Sequence, residues 1–176
     1  MNIDDLKDRI RSIPNFPKPG VVFRDITTLL SDAEAFRKVI DIFSEHFKDK
    51  NITKVVAIES RGFIFGGALA YNMNAAFVPV RKLGKLPGET IKKEYELEYG
   101  VDSLEMHKDA VRAGDNVLVI DDLLATGGTL SATCGLVEKL GANIAGIAVL
   151  IELTFLKGQE PFSRYDYLPL IKYSTE

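Results

Sequence analysis

An α/β fold with a doubly wound, mostly parallel sheet is what this sequence predicts, and two observations carry the prediction. Two strand–helix–strand units follow one another along the chain. The first runs Lys54-Val55-Val56-Ala57-Ile58, an apolar helix-compatible stretch from Phe63 to Tyr71, then Phe77-Val78-Pro79-Val80. The second runs Val117-Leu118-Val119-Ile120, a helix from about Thr129 to Leu140, then Ile144 to Ile151. The strand segments are continuously apolar, the pattern of strands covered by helices on both faces, and right-handed crossovers would join them. The 176 residues argue for a single domain over 1–176, since a domain holds roughly 150 residues. A domain of that size needs neither disulfides nor a structural metal.

Ahead of these units, Ile3, Leu6, Ile10 and Ile13 recur at helical spacing with Asp4 and Asp5 in the first turn, and Pro14 ends the pattern. A short N-terminal helix is expected there. Asn15-Phe16-Pro17-Lys18-Pro19-Gly20 reads as a rigid turn into an extended stretch from Val21 to Ile26. Ser31-Asp32-Ala33-Glu34 has capping-box spacing before the apolar stripe Phe36, Val39, Ile40, Phe43 and Phe47, so a helix is expected over about 32–48. Between the two units the texture changes. Arg81-Lys82-Leu83-Gly84-Lys85-Leu86-Pro87-Gly88 is basic and glycine-rich, and Glu94-Tyr95-Glu96-Leu97-Glu98-Tyr99 alternates polar with apolar residues. Residues 81–106 therefore read as an antiparallel, lid-like excursion from the parallel core. The segment 152–176 reads as irregular.

Composition removes several function classes. Lys plus Arg number 22 against 25 Asp plus Glu, a net charge of −3, so no general electrostatic pull toward nucleic acid or anionic membrane exists. No apolar run approaches the ~20 residues that span a bilayer, and Met1-Asn2-Ile3-Asp4-Asp5 lacks a basic segment followed by a hydrophobic one, so a cytoplasmic protein is expected. Cys134 is the single cysteine and is expected as a small core residue; His46 and His107 are given no role. Zinc and disulfide chemistry fall away.

The chemistry concentrates after Ile120. A buried strand there delivers Asp121 and Asp122 at its carboxyl end, and Leu123-Leu124-Ala125-Thr126-Gly127-Gly128-Thr129 opens a helix. Ligands of open α/β sheets bind at that edge, and a helix N-terminus cradles anions. Gly127 and Gly128 let backbone curl around a phosphate, while Thr126 and Thr129 add hydroxyls. Two carboxylates would repel a phosphate unless the ligand also offers hydroxyl donors or a cation, and a ribose 5-phosphate meets both demands. The competing reading is a solvated acidic pair followed by a glycine turn.

Ser60-Arg61-Gly62 ends the first strand as Asp121-Asp122 ends the second, so both loops should face one crevice. Arg61 could hold an anion there or stand exposed in a helix-opening turn. Arg81, Lys82 and Lys85 form a cationic loop between glycines, suited to a polyanion or simply solvated.

The segment from Val117 to Thr129 resembles the phosphoribosyl-pyrophosphate motif of the type I phosphoribosyltransferases. Phe16-Pro17-Lys18-Pro19-Gly20-Val21-Val22-Phe23-Arg24-Asp25-Ile26 resembles the N-terminal hood of the members that act on adenine, which places the hood at about 1–30. Glu59-Ser60-Arg61-Gly62-Phe63-Ile64-Phe65-Gly66 resembles their pyrophosphate loop, and Phe77 to Thr90 with Glu98-Tyr99-Gly100 resembles their flexible catalytic lid loop. The matches span most of residues 14–154 in the family's order. The chain departs after Leu156-Lys157-Gly158, where Gln159-Glu160-Pro161 stands in place of a basic run.

The resemblance implies transfer of phosphoribose from 5-phosphoribosyl 1-pyrophosphate to adenine. It assigns Ala125, Thr126, Gly127, Gly128 and Thr129 with Asp121 and Asp122 to the ribose phosphate, and Ser60, Arg61, Arg81, Lys82 and Lys85 to pyrophosphate. Arg61, Arg81, Lys85 and Glu98 are the implied catalytic groups, Glu98 as a proton acceptor or relay. As a residue of the alternating edge Glu94, Glu96, Glu98 it could equally be a plain strand carboxylate. Tyr99 is implied as part of the lid, and Val22, Phe23, Arg24 and Leu153 as the adenine pocket. Mg²⁺ held through the substrate, with no direct protein ligand, and a homodimer are implied as well. The alternatives are a phosphoribosyl-pyrophosphate-binding regulator and a transferase for another purine such as xanthine.

Overall fold

The computed structural model describes residues 1–96 and 101–175. The chain opens with α1 (Ile3–Lys7), β1 (Arg11–Pro14), β2 (Val22–Asp25), α2 (Thr27–Leu30) and α3 (Ala33–Phe47). The first unit is β3 (Lys54–Ile58), α4 (Gly62–Asn72) and β4 (Ala76–Lys82); a hairpin of β5 (Thr90–Glu96) and β6 (Val101–His107) follows. The second unit is β7 (Asn116–Leu124), α5 (Gly128–Lys139) and β8 (Asn143–Leu153), and β9 (Tyr167–Tyr173) closes the chain. The main sheet has the order β5-β6-β4-β3-β7-β8-β9, in which β4, β3, β7, β8 and β9 are mutually parallel. The predicted α/β, mostly parallel sheet is thus present.

Alternation along the central strands divides the core in two. Val55, Ala57, Leu118, Ile120, Ala148 and Leu150 pack with Phe43, Phe47, Phe65 and Leu69 of α3 and α4. Their neighbours Val56, Ile58, Val117, Val119, Ile147 and Val149 pack on the other face with Leu130, Leu136, Val137 and the buried Cys134 of α5. Successive side chains point to opposite faces, so a strand apolar throughout feeds both layers. Burial pushes the Cys134 thiol up to about 12, leaving it inert as a core residue should be.

Three local expectations are corrected. The N-terminal helix stops at Lys7: Ile13 lies in β1 opposite Phe23, and Arg11 pairs its guanidinium with Asp25 at 2.7 Å across that ladder. The hood is therefore a small two-stranded sheet. Ser31 does not cap α3. Asp32 does, accepting the N–H groups of Glu34 and Ala35, because Ser31 ends α2 and turns its hydroxyl to the Thr28 carbonyl. The expected antiparallel excursion is the β5–β6 hairpin, whose β6 pairs with the end of β4 at Arg81↔Glu105 and Lys82↔Leu104 and so extends the sheet. The C-terminal segment is not irregular throughout: β9 adds a parallel edge to β8, with Pro169 tolerated where no further strand needs its N–H.

Candidate active site

The carboxyl ends of β3, β4 and β7 meet at one edge of the sheet. A cavity of about 510 Å³ opens there, lined by Phe23, Glu59, Ser60, Arg61, Lys82, Tyr95, Asp102, Asp121, Asp122 and Thr129 among others. A smaller recess of about 140 Å³ adjoins it, sharing Asp121, Leu123 and Thr129 and adding Ala125, Thr126 and Gly127. A larger open groove of about 950 Å³ lies elsewhere, bordered by α3 residues such as Lys38, Asp41 and Glu45, and gathers only mixed surface charge. The strand ends are where chemistry converges.

Gly127 has φ +86° and stands at the N-cap of α5, a left-handed conformation that disfavours any side chain. No side chain caps that helix, so its first N–H groups are available to an anion. A Cβ on Gly127 would strike the Gly158 carbonyl, and one on Gly158 would strike backbone of Ala125, Thr126 and Gly127. The Lys157-Gly158 segment therefore braces the loop from behind, although the chain leaves the family pattern immediately afterwards.

Asp121 and Asp122 are 8% and 7% exposed, and Asp121 Oδ1 accepts the Asp122 N–H at 2.8 Å. Burial, reinforced by the neighbouring Asp122 charge, holds the Asp121 carboxyl well above the usual carboxylate range. Burial also raises Asp122, against the opposing pull of Arg61. Arg61 Nε stands 2.7 Å from Asp122 Oδ2, but without hydrogen-bond alignment, so that buried oxygen has no hydrogen-bond donor. A carboxylate oxygen so placed is ready for a ligand hydroxyl. The Arg61 guanidinium also lies 5.3 Å from the Phe23 ring centre.

Glu59, to which the family resemblance assigns no functional role, organises the cations. Its Oε2 lies 3.2 Å from Lys85 Nζ and 3.4 Å from the Arg81 guanidinium, while Oε1 accepts the Lys82 N–H. Burial pushes its carboxyl up, but the Lys82 N–H, Lys85 and Arg81 together outweigh that and hold it below its ordinary value. Lys82 Nζ meets Asp102 at 2.9 Å, and that pairing raises the lysine's pKa. Tyr95 reaches the same wall from β5: its hydroxyl donates to Asp102 at 3.3 Å and also engages Thr129, and burial raises its pKa. Glu59 carries a signal, since it follows β3 directly at the carboxyl edge of the parallel sheet. Tyr95 and Asp102 carry none, because alternation along β5 and β6 does not reveal which face meets α5.

The phosphoribosyl transferase domain family matches residues 25–168. The chain belongs to that family. It is 55% identical over 174 residues to the adenine phosphoribosyltransferase of Acidobacterium capsulatum, covering 99% of this chain and 96% of that protein. The crystal structure of the adenine phosphoribosyltransferase from Thermoanaerobacter pseudethanolicus superposes with TM-score 0.94 at 50% identity, covering 98% of this chain and 100% of that one. The Saccharomyces cerevisiae enzyme, crystallised with adenine and an imino-altritol bisphosphate, gives TM-score 0.90 at 42% identity over 96% of this chain and 97% of its own.

Within this phosphoribosyl transferase frame the expected residues fall into four groups. Ser60, Arg61, Lys82, Asp121, Asp122 and Thr129 line the main cavity with Phe23, and Ala125, Thr126 and Gly127 line the recess, with Gly128 starting α5 beside it. Arg81 and Lys85 are gathered on Glu59 at the cavity wall. Val22, Arg24 and Leu153 are not among the lining residues. The Arg24 side chain instead lies 4.0 Å from the Tyr173 ring centre and donates to Ser12, and Leu153 packs against the core under α3 and α4. Glu98 and Tyr99 lie outside the described residues.

Proposed function

We propose that this chain transfers phosphoribose from 5-phosphoribosyl 1-pyrophosphate to adenine, releasing AMP and pyrophosphate, as its relatives' names indicate. The observation that carries the reading is the continuity of the acidic pair at the end of β7 with Arg61 on one side and the Gly127 recess on the other. In this reading the recess takes the 5-phosphate through the N–H groups opening α5 and the hydroxyls of Thr126 and Thr129. Asp121 and Asp122 accept the ribose hydroxyls, which resolves the otherwise repulsive pairing of acids with a phosphate. Ser60, Arg61, Lys82, Arg81 and Lys85 face the pyrophosphate, and the last two must turn part of their charge from Glu59 toward it.

Bond making and breaking then occur at the anomeric carbon. An adenine ring nitrogen forms the new C–N bond as the C–O bond to pyrophosphate breaks, the electron pair leaving with pyrophosphate while the ring oxygen shares the positive charge. The cations stabilise the departing charge, and the resemblance gives the purine's proton to Glu98. The buried acidic pair, with Asp122 Oδ2 lacking a donor, fits Mg²⁺ carried on substrate oxygens beside it. When bound there, Mg²⁺ would neutralise part of the pyrophosphate charge. The resemblance assigns the adenine pocket to Phe23, Val22, Arg24 and Leu153, with backbone of β2 reading the base; of these four, Phe23 lines the cavity.

We further infer one domain over 1–176 and a homodimer. Ile64 and Tyr71, one face of α4, are 43% and 91% exposed, and Phe77 of β4 is 39% exposed. Exposed apolar side chains grouped in this way suit a second copy of the chain. No helix among the described residues is long and apolar enough to cross a membrane. Charged phosphoribosyl substrates are retained inside cells, which supports the cytoplasm as the working compartment.

The deciding assay offers adenine, hypoxanthine, guanine and xanthine with phosphoribosyl pyrophosphate, with and without Mg²⁺. AMP formed from adenine in the presence of Mg²⁺ is the expected result. Binding of phosphoribosyl pyrophosphate without any nucleotide product would favour the regulator, and a xanthine product would move the specificity. Light scattering at working concentration should give the dimer mass, and a monomer there contradicts the dimer.

A further inference from the structure

We propose that Glu105, on β6 outside the cavity, is a positioning residue that sets Lys85 in place for the pyrophosphate group. Lys85 belongs to a glycine-flanked turn between β4 and β5, where a long cationic side chain would ordinarily wander. Here all three of its polar atoms are held. Its N–H donates to Glu105 Oε1 at 2.9 Å, its carbonyl accepts from Arg81 at 3.2 Å, and its Nζ meets Glu59 at 3.2 Å.

Glu105 carries most of that arrangement. Its side chain is buried, the residue being 3% exposed, and one oxygen takes the N–H groups of both Lys85 and Leu86 at 2.9 Å while the other takes the Thr90 hydroxyl at 3.1 Å. Burial pushes its carboxyl up, but the Leu86 N–H, the Thr90 hydroxyl and the Lys85 and Gly84 N–H groups outweigh it, so the group stays ionised. A charged acceptor shared by consecutive N–H groups fixes the direction of the turn as well as its distance from β6. Because Glu105 sits opposite Arg81 in the β4–β6 ladder, it ties the turn to the strand that carries the second cation. Cations held in advance in the bound geometry lose less freedom on binding a polyanion, and the gain appears as affinity for it.

This inference rests on the assignment of Lys85 to pyrophosphate, so its test includes a binding readout that does not need turnover. Glu105→Ala should weaken pyrophosphate binding, measured by calorimetry, and raise KM for phosphoribosyl pyrophosphate by about tenfold or more, the scale of a lost charge-assisted hydrogen bond. The KM for adenine should stay within about twofold, because the base pocket is on the hood side. Glu105→Gln should recover most of the affinity: its carbonyl can accept both N–H groups while its amide donates to Thr90. In a Lys85→Ala background, Glu105→Ala should add little further loss, which marks action through Lys85.

A Glu105→Ala protein that melts earlier yet binds pyrophosphate as well as wild type overturns the proposal, as does full additivity with Lys85→Ala. If Glu105→Ala does not fold, Glu105→Asp decides, because the shorter carboxylate draws the turn toward β6; it should bind pyrophosphate several-fold more weakly, and unchanged affinity overturns the inference. A wild-type chain that binds pyrophosphate but makes no AMP would sink the transferase reading alone.

Discussion

Asp122→Asn should separate function from stability in this chain, since it keeps the side chain's shape and removes its charge. Asp122 is buried, its Oδ2 has no aligned donor, and Arg61 Nε lies 2.7 Å away. In the proposed complex the carboxylate accepts a ribose hydroxyl and steadies Arg61, and an amide serves both less well. Hydrogen bonds to charged groups contribute about 1.5–3 kcal/mol, so kcat/KM for phosphoribosyl pyrophosphate should fall roughly 10- to 150-fold. Stability should move the other way. Burial raises the folded-state pKa of Asp122 above its ordinary 3.8, so between 3.8 and the raised value the folded chain binds more protons than the unfolded one. Its cost to the fold is therefore absent in acid, grows as pH rises through that window, and is fully present above it. At pH 8 the variant should melt no lower than wild type, and below about pH 3.5 the two should coincide. Initial rates of AMP formation and thermal unfolding at both pH values test this. A kcat/KM within threefold of wild type would refute the role given to the acidic pair, and a variant melting well below wild type at pH 8 would refute the electrostatic reasoning.

Other outcomes follow from equally local geometry. Gly158→Ala places a methyl group against backbone of the Ala125–Gly127 loop, where nothing can rotate away, so AMP affinity should drop about tenfold or more while adenine affinity holds, as read by calorimetry. Gly66→Ala would press a methyl on Ala57 beneath α4 and should cost about 1–3 kcal/mol in denaturant unfolding, with the affinity of the remaining folded protein unchanged. Asp25 is held below its ordinary pKa by the Thr27 hydroxyl and N–H, with Arg11 adding to it, so its stabilising contribution is present above pH 3.8 and fades as pH falls. Asp25→Asn should therefore lower Tm at pH 7, with the difference from wild type shrinking as pH falls below 3.8, as thermal unfolding across the acid range would show.

What the sequence determined by itself is the part of the molecule where local pattern and environment coincide. Continuous apolar runs from Val55 to Ile58 and from Val117 to Ile120 can be satisfied only by a sheet covered on both sides, and the carboxyl ends of those strands then place Ser60-Arg61 and Asp121-Asp122 at one edge. Gly127 marks the loop that opens α5 because its left-handed backbone disfavours any side chain. The tertiary structure decided the rest, wherever a residue's role depends on a distant partner. Ile13 matched a helical period but pairs with Phe23, and Ser31 matched a cap but yields to Asp32 because α2 ends there. Tyr167 to Tyr173 reads as irregular until β8 offers an edge to pair with. Asp102 and Glu105 look like ordinary surface acids in one dimension; their meaning comes from which cation or N–H group the folded sheet brings within about 3 Å of them, and hydrogen-bond forces of that range leave no trace in spacing along the chain.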